Sequence, residues 1–255
     1  MSIIIKTPEQ IEGIRKSSRL AASCLDYIEP YVEPGVSTGY LDKKIEDYIR
    51  AHGATPAPLN YHGFPKATCI SPNNVVCHGI PSDDQILKNG DVINIDVTTI
   101  LDGFYGDTSR MFEVGPIDDE TARLLDVTKH CLDLGIQQVK PGNRFGNIGF
   151  MINRYAKSKG YSVVYEFCGH GVGLEFHEEP QVEHIARKNS GAKMKPGMVF
   201  TIEPMINAGK PKVSVDNADG WTARTIDEQL SAQYEHTILV TEDGYEVLTD
   251  LHNEY

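Results

Sequence analysis

The chain has 255 residues, 40% of them hydrophobic, a net charge of -12 at neutral pH and five cysteines. That length suits one domain with a large core, and the acidic balance disfavours binding to bulk nucleic acid or to an anionic membrane. An odd number of cysteines without a C-x-x-C pair excludes a disulfide framework and a zinc knuckle. The thiols are therefore expected to be reduced and mostly buried. No apolar run approaches the ~20 residues of a bilayer span, and Met-Ser-Ile-Ile-Ile is cut short by Lys6 and Pro8 before it can act as a secretory signal. A soluble, cytoplasmic protein is expected. The basic run Arg187, Lys188, Lys193 and Lys195 is read as a solvated loop.

Thr7 before Pro8, with Gln10 three residues on, predicts a capped helix start, and Ile11, Ile14, Ala21, Leu25 and Ile28 keep helical spacing as far as Pro30. Ser37 or Thr38 caps a second helix, with Leu41, Ile45 and Ile49 inward and Gly53 as its stop. The Pro- and Gly-rich stretch from Gly53 to Pro65 reads as a loop over a pocket. Strands are predicted over 92–99 and 105–114, turning near Asp102-Gly103. Asp118 or Asp119 opens a third helix through Leu125, Leu132 and Ile136, and another runs past Ile148, Ile152 and Tyr155 to Gly160. Further strands are expected over 163–167, 199–206, 237–241 and 246–249, the last two joined at Asp243-Gly244. Helices followed by antiparallel strands, twice over, give an α+β fold whose curved central sheet holds the site and whose helices cover the outer face.

That doubling is written in the residues. Leu-Lys-Asn-Gly-Asp-Val-Ile-Asn-Ile-Asp from Leu87 to Asp96 returns, offset by 107, as Met-Lys-Pro-Gly-Met-Val-Phe-Thr-Ile-Glu from Met194 to Glu203. Upstream, Val32, Pro34, Gly35, Gly39, Ile45, Tyr48 and Gly53 match Val139, Pro141, Gly142, Gly146, Ile152, Tyr155 and Gly160 at the same offset. The expectation is one domain over residues 1–255, in two halves of about 1–115 and 116–255, each delivering an acid from a strand end.

Asp96 and Asp107 flank the Asp-Gly turn with numbers of opposite parity, so a tight hairpin places both on one face of the sheet. In the second half, Glu203 occupies the place of Asp96, and Glu235 precedes a strand much as Asp107 does. Like charges about 4 Å apart repel by ~4 kcal/mol per pair at an effective dielectric of 20. Four clustered carboxylates would therefore consume most of the ~5 to 15 kcal/mol that stabilises a domain. Cations or shared protons must compensate, and two divalent ions would neutralise the four charges. Carboxylates with an imidazole suit Mn, Fe, Co or Zn. His170 in Cys168-Gly169-His170-Gly171-Val172-Gly173 has glycines on both sides that allow close approach to a ligand, His78 lies in a similar His-Gly-Ile, and His177 follows seven residues after His170. Taken singly, each acid or histidine is more often a surface or core residue; the repeat is what ties them together. H-E-x-x-H is not completed at Gln181, and no helical pattern follows Gly169 to Gly173 as a dinucleotide fold requires.

At Asn94-Ile95-Asp96-Val97, Gly106-Asp107-Thr108, Cys168 to Gly173, Thr201-Ile202-Glu203-Pro204 and Glu235 the sequence resembles the type I methionine aminopeptidases of the pita-bread superfamily, peptidase family M24, across essentially the whole chain. The resemblance implies two divalent metal ions, with Asp107 and Glu235 bridging both, Asp96 completing one site, and His170 with Glu203 the other. It implies His78 near the scissile nitrogen, His177 near the carbonyl oxygen, and Glu203 as the proton shuttle. It also implies a methionine pocket of Tyr61, Phe64, Cys69, Phe176 and Trp221. The activity it implies is a metalloexopeptidase removing the initiator methionine of nascent polypeptides when the second residue is small. The enzyme would act as a monomer, without membrane or specific nucleic-acid binding, and with at most a transient ribosome contact. Pro58 departs from the cysteine of many bacterial members, which bears on pocket detail. A proline-specific dipeptidase would share the five ligands but usually carries an extra N-terminal domain, and a non-enzymatic binding relative would typically lack ligands.

Overall fold

A computed structural model of the chain describes residues 2–252 and 255, so Met1, where the opening stretch read above begins, lies outside it. Helix α1 (Pro8–Ile28) starts at the expected capping box, with the Thr7 side chain accepting from Gln10 N. Helix α2 (Thr38–Ala51) is capped by Ser37. The first-half strands are β1 (Thr55–Pro56), β2 (Cys69–Pro72), β3 (Val75–Cys77), β4 (Val92–Leu101) and β5 (Phe104–Glu113). Helices α3 (Asp119–Ile136), capped by Asp118, and α4 (Gly146–Ser158) open the second half. After them come β6 (Ser162–Val163), β7 (Gly169–Gly171), β8 (Glu178–Val182), β9 (Val199–Ile202), β10 (Met205–Asn207), β11 (Val213–Val215), β12 (Ala223–Thr225), β13 (Ser231–Gln233), β14 (His236–Val240) and β15 (Tyr245–Val247). Among the described residues no helix is long and apolar enough to cross a membrane.

β4 carries β5 along one edge and β2 and β1 along the other, all antiparallel. The second half lays its strands in the order β15-β14-β9-β7-β8 and continues as β13-β10-β6. Ile14 and Ile28 on α1 are fully buried, and Leu41, Ile45 and Ile49 of α2 join a core with Ile93 and Ile95 of β4. Leu132 and Ile136 of α3 and Ile148 and Ile152 of α4 form the matching core with Phe200 and Ile202. The helices thus cover one side of the strands, leaving the other for the site.

The repeat extends to individual hydrogen bonds. Gly35 N donates to Leu87 O at 2.8 Å and Gly142 N to Met194 O at 2.9 Å; Leu87 N donates to Val36 O and Met194 N to Asn143 O, both at 2.8 Å. The isolated bridges Ser37↔Ile86 and Arg144↔Lys193 repeat at the same offset. Gly35 and Gly142 have φ of 91° and 81°, a region open chiefly to glycine, which explains why both halves retain it after the Pro.

Three expected strands come out shorter, the one over 246–249 as β15 (Tyr245–Val247). The run predicted over 199–206 divides into β9 and β10 at Glu203-Pro204, because Pro204 has no N–H to give the ladder. The run over 163–167 meets β10 through Ser162 and Val163 and a 3.0 Å bond from Val164 N to Met205 O, and then leaves the sheet.

Candidate metal and peptide site

The β4–β5 hairpin turns at Asp102 and Gly103, whose φ values of 52° and 83° suit a two-residue turn that matches strand twist. Leu101 then pairs with Phe104, Thr98 with Asp107 and Asp96 with Ser109, so the two aspartates share a face as expected. The second half reaches the same floor differently. Ile202 pairs with His236 and Met205 with Gln233, leaving Glu203 and Glu235 in the break between them. Thr98 is opposite Asp107, whereas its repeat equivalent Met205 is opposite Gln233. Glu235 is therefore not the positional twin of Asp107, contrary to the sequence reading. It lies where the ladder is interrupted and bridges Ser109 of the other half, donating its N–H to Ser109 O at 3.0 Å. Two threonines tie this seam: Thr108 Oγ1 donates to Glu235 O and Thr237 Oγ1 to Asp107 O, each at 2.7 Å.

All twelve residues singled out from the sequence line one cavity of about 470 Å³. Asp96, Asp107, His170, Glu203 and Glu235 form its polar floor. Facing ligand atoms of Asp107, His170 and Glu235 all lie within 4.8 Å of one another. His170 Nδ1 lies 3.0 Å from Gly171 O, and since a carbonyl only accepts, Nδ1 carries the proton and Nε2 is left with its lone pair. That Nε2 stands 3.7 Å from Asp107 Oδ2 and 3.6 Å from Glu203 Oε1. Burial drives the imidazole pKa down to about 3, aided by His177 nearby, so the ring is neutral at pH 7.

The same burial pushes the acids the other way. Asp107 rises to about 7 despite the Thr98 hydroxyl that favours its charged form, and Glu203 rises to about 8. Asp96 and Glu235 rise well above the carboxylate range through burial and then through their acidic neighbours. Asp96 Oδ1 is buried without a hydrogen-bond partner. An orphaned carboxylate oxygen, an imidazole lone pair aimed at two carboxylates, and acids forced to hold protons all fit a divalent cation at this floor.

The walls are apolar and aromatic. Phe64 and Trp221 meet edge-on at 5.3 Å between centroids, and Tyr61 packs on Phe176 at 4.8 Å. Cys69 and Cys77 are buried alongside, and Pro58 sits among them. The loop carrying Tyr61 and Phe64 is pinned by Asp42, whose Oδ1 accepts from Ala67 N, Thr68 N and Thr68 Oγ1. His78 projects from a left-handed backbone, φ 56°, a conformation rare outside glycine that is found at functional sites. Burial lowers its pKa, so it too tends to be neutral. His177, at the exposed rim, takes a 2.9 Å hydrogen bond between Nδ1 and the Tyr61 hydroxyl, and its ring centroid is 4.3 Å from that of His170.

The sequence reading missed the groups that aim these side chains. Thr98 Oγ1 donates to Asp107 Oδ1, and Thr201 Oγ1 to Glu203 Oε1, both at 2.7 Å. Thr201 Oγ1 also accepts from His170 N at 3.0 Å. Gln233 Nε2 approaches Glu203 Oε2 at 3.3 Å, and the fully enclosed His184 accepts from Glu203 N at 3.2 Å through Nε2. Thr98 and Thr201 lie two residues from Asp96 and Glu203, so strand periodicity would have put them on the same face.

The model of metallopeptidase family M24 matches residues 12–242. This chain belongs to that family. Methionine aminopeptidase of Escherichia coli K12 is 55% identical over 98% of this chain and 94% of its own length. Methionine aminopeptidase A of Synechocystis is 50% identical, over 97% of this chain and 98% of its own. Among solved structures, methionine aminopeptidase from Rickettsia prowazekii superposes with a TM-score of 0.96 at 49% identity, over 98% of this chain and all of that one. Within M24, the chain groups with the methionine aminopeptidases, and its fold is the pita-bread fold.

Proposed function

We propose that this chain removes the initiator methionine from nascent proteins and peptides whose second residue is small, by hydrolysis assisted by two divalent ions held by Asp96, Asp107, His170, Glu203 and Glu235. The observation that carries this reading is the meeting, in one cavity, of a buried acid-and-imidazole floor with an aromatic wall. Bound there, divalent ions supply an activated water and polarise the scissile carbonyl.

The protein's own groups do the rest. Glu203 sits between the Thr201 hydroxyl and Gln233, which hold its carboxyl where it can take a proton from water and return it to the leaving amine. His78, neutral and held by an unusual backbone turn, can hydrogen-bond the scissile nitrogen. His177, oriented by Tyr61, can donate to the carbonyl oxygen as charge develops there. Tyr61, Phe64, Cys69, Phe176 and Trp221 exclude water from an unbranched thioether side chain.

In this reading, residues 1–255 act as a single catalytic domain of two repeated halves. The setting we infer is the cytoplasm, which five unpaired cysteines suit. The enzyme works there as a monomer on emerging chains, in transient contact with the ribosome. Cobalt, manganese, iron and zinc are the candidate metals. The test is to strip the protein with a chelator and titrate each ion back while following methionine release and bound metal. No turnover in the stripped protein, with activity returning as up to two ions bind, is expected. Full activity after exhaustive chelation would overturn the metal assignment.

A further inference from the structure

Phe176 and His177 are carried by an irregular segment, Gly173 to His177, between β7 and β8. A segment without strand or helix needs something to hold it if its histidine is to point reproducibly. The carboxylate of Glu178 supplies that hold from the segment's end. Its Oε1 accepts from Leu174 N at 2.7 Å and from Glu175 N at 3.0 Å, and its Oε2 takes the ammonium of Lys6. Lys6 comes from the stretch before α1, whose backbone is itself fixed by a 2.8 Å bond from Lys6 N to Gly197 O. Gly197 makes room for this stretch: a Cβ there would stand 2.8 Å from Ile5 Cγ2 and 3.1 Å from Lys6 O. The Lys6 and Glu178 side chains are only 1% and 3% exposed.

An ion pair enclosed to that degree is poor value as a stabiliser, since an apolar pair of similar volume often serves a fold as well or better. What an apolar pair cannot do is accept the two loop N–H groups. We propose that Glu178, held in place by Lys6, is a positioning residue that fixes the Gly173–His177 segment and thereby the aim of His177 at the peptide. The proposal rests on the methionine-removal reading given above. It makes residues 5–7, far from the metal floor in sequence, part of the machinery that sets turnover.

Two double variants separate this role from plain stability. Lys6→Met with Glu178→Leu replaces the pair by apolar groups and removes the acceptor. Lys6→Met with Glu178→Gln is also uncharged but keeps an amide oxygen for Leu174 N and Glu175 N. The first should fold and bind metal like the parent while kcat on a Met-Ala peptide falls roughly 10²-fold, the scale of a small misplacement at a reacting centre. The second should recover most of that loss. In a His177→Ala background the apolar pair should change kcat by less than about threefold, because residues acting through one another are not additive. Hydrogen exchange at residues 174–177 gives a readout independent of turnover: fast in the apolar pair, slow in the parent and in the Gln variant. Unchanged exchange and turnover in the folded apolar pair would overturn the proposal, as would an equal loss with and without His177. A metal-loaded parent that releases no methionine would instead overturn the functional reading, and the exchange data would still judge the latch.

Discussion

The two halves share their loop hydrogen bonds but differ where their central strands pair. In the first, β4 and β5 run in unbroken register from Val92↔Glu113 to Leu101↔Phe104. In the second, the ladder stops at Ile202↔His236, resumes at Met205↔Gln233, and its hairpin is opened by the segment holding β11 and β12. The first half is therefore a rail that places Asp96 and Asp107 by its register. The second half gives up that regularity at Pro204. In exchange, Glu203 and Glu235 gain room in the break, and β12 crosses to pair with β3, Ala223 opposite Cys77, bringing Trp221 to the wall. Symmetry builds the floor, and its departures build the part that recognises a side chain.

The sharpest way to break the rail is Asp107→Asn. Asp107 faces His170 and Glu235 and is tied to the second half through Thr237. Losing its charge should lower activity by several orders of magnitude and weaken metal binding, as read by calorimetry. Near-parental turnover with tight metal binding would contradict the bridging role proposed for it. His78→Ala tests the histidine assigned to substrate. Turnover should fall by roughly 10²- to 10⁴-fold, the range for a positioned acid or base, with the metal content by elemental analysis unchanged. Departure of the metal with the imidazole would show that His78 is a ligand. The threonines compare the halves directly. Thr98→Val removes one hydrogen bond, to Asp107, whereas Thr201→Val removes one to Glu203 and the acceptor for His170 N. Thr201→Val should cost roughly 10- to 100-fold in activity or metal affinity, as groups that orient ligands do, and Thr98→Val less. The reverse order would mean that the rail depends more on side chains than on register.

Much of this was legible beforehand. The capping box at Thr7, the Ser37 and Asp118 caps and the Asp102-Gly103 turn are local signals, and each was found where the residues placed it. The candidate site was legible through the repeat and through resemblance, because five residues of three metal-binding types at family spacing are a long pattern. What escaped was non-local. The positional twin of Asp107 in the second half is Gln233, and only the pairing of Met205 with Gln233 reveals it. His184 beneath Glu203, Asp42 under the wall loop and Lys6 on Glu178 are contacts between residues distant in sequence, and nothing in periodicity announces them.

The account's central claim is that a pseudo-symmetric metal floor is joined to a wall selective for N-terminal methionine, and peptide selectivity of the metal-loaded protein tests it most directly. Burying a methionine side chain contributes ~1.5 to 3 kcal/mol relative to leaving it exposed, so Ala-Ala peptides should lose about one to two orders of magnitude in kcat/KM. Norleucine, similar in length, should substitute fairly, and leucine, branched earlier, poorly. Met-Gly, Met-Ala and Met-Ser peptides should be cleaved, and Met-Lys and Met-Phe essentially not, because a larger second residue displaces the carbonyl from the reacting groups. Comparable rates on Leu-Ala and Met-Ala, or rapid cleavage of Met-Lys, would contradict the account.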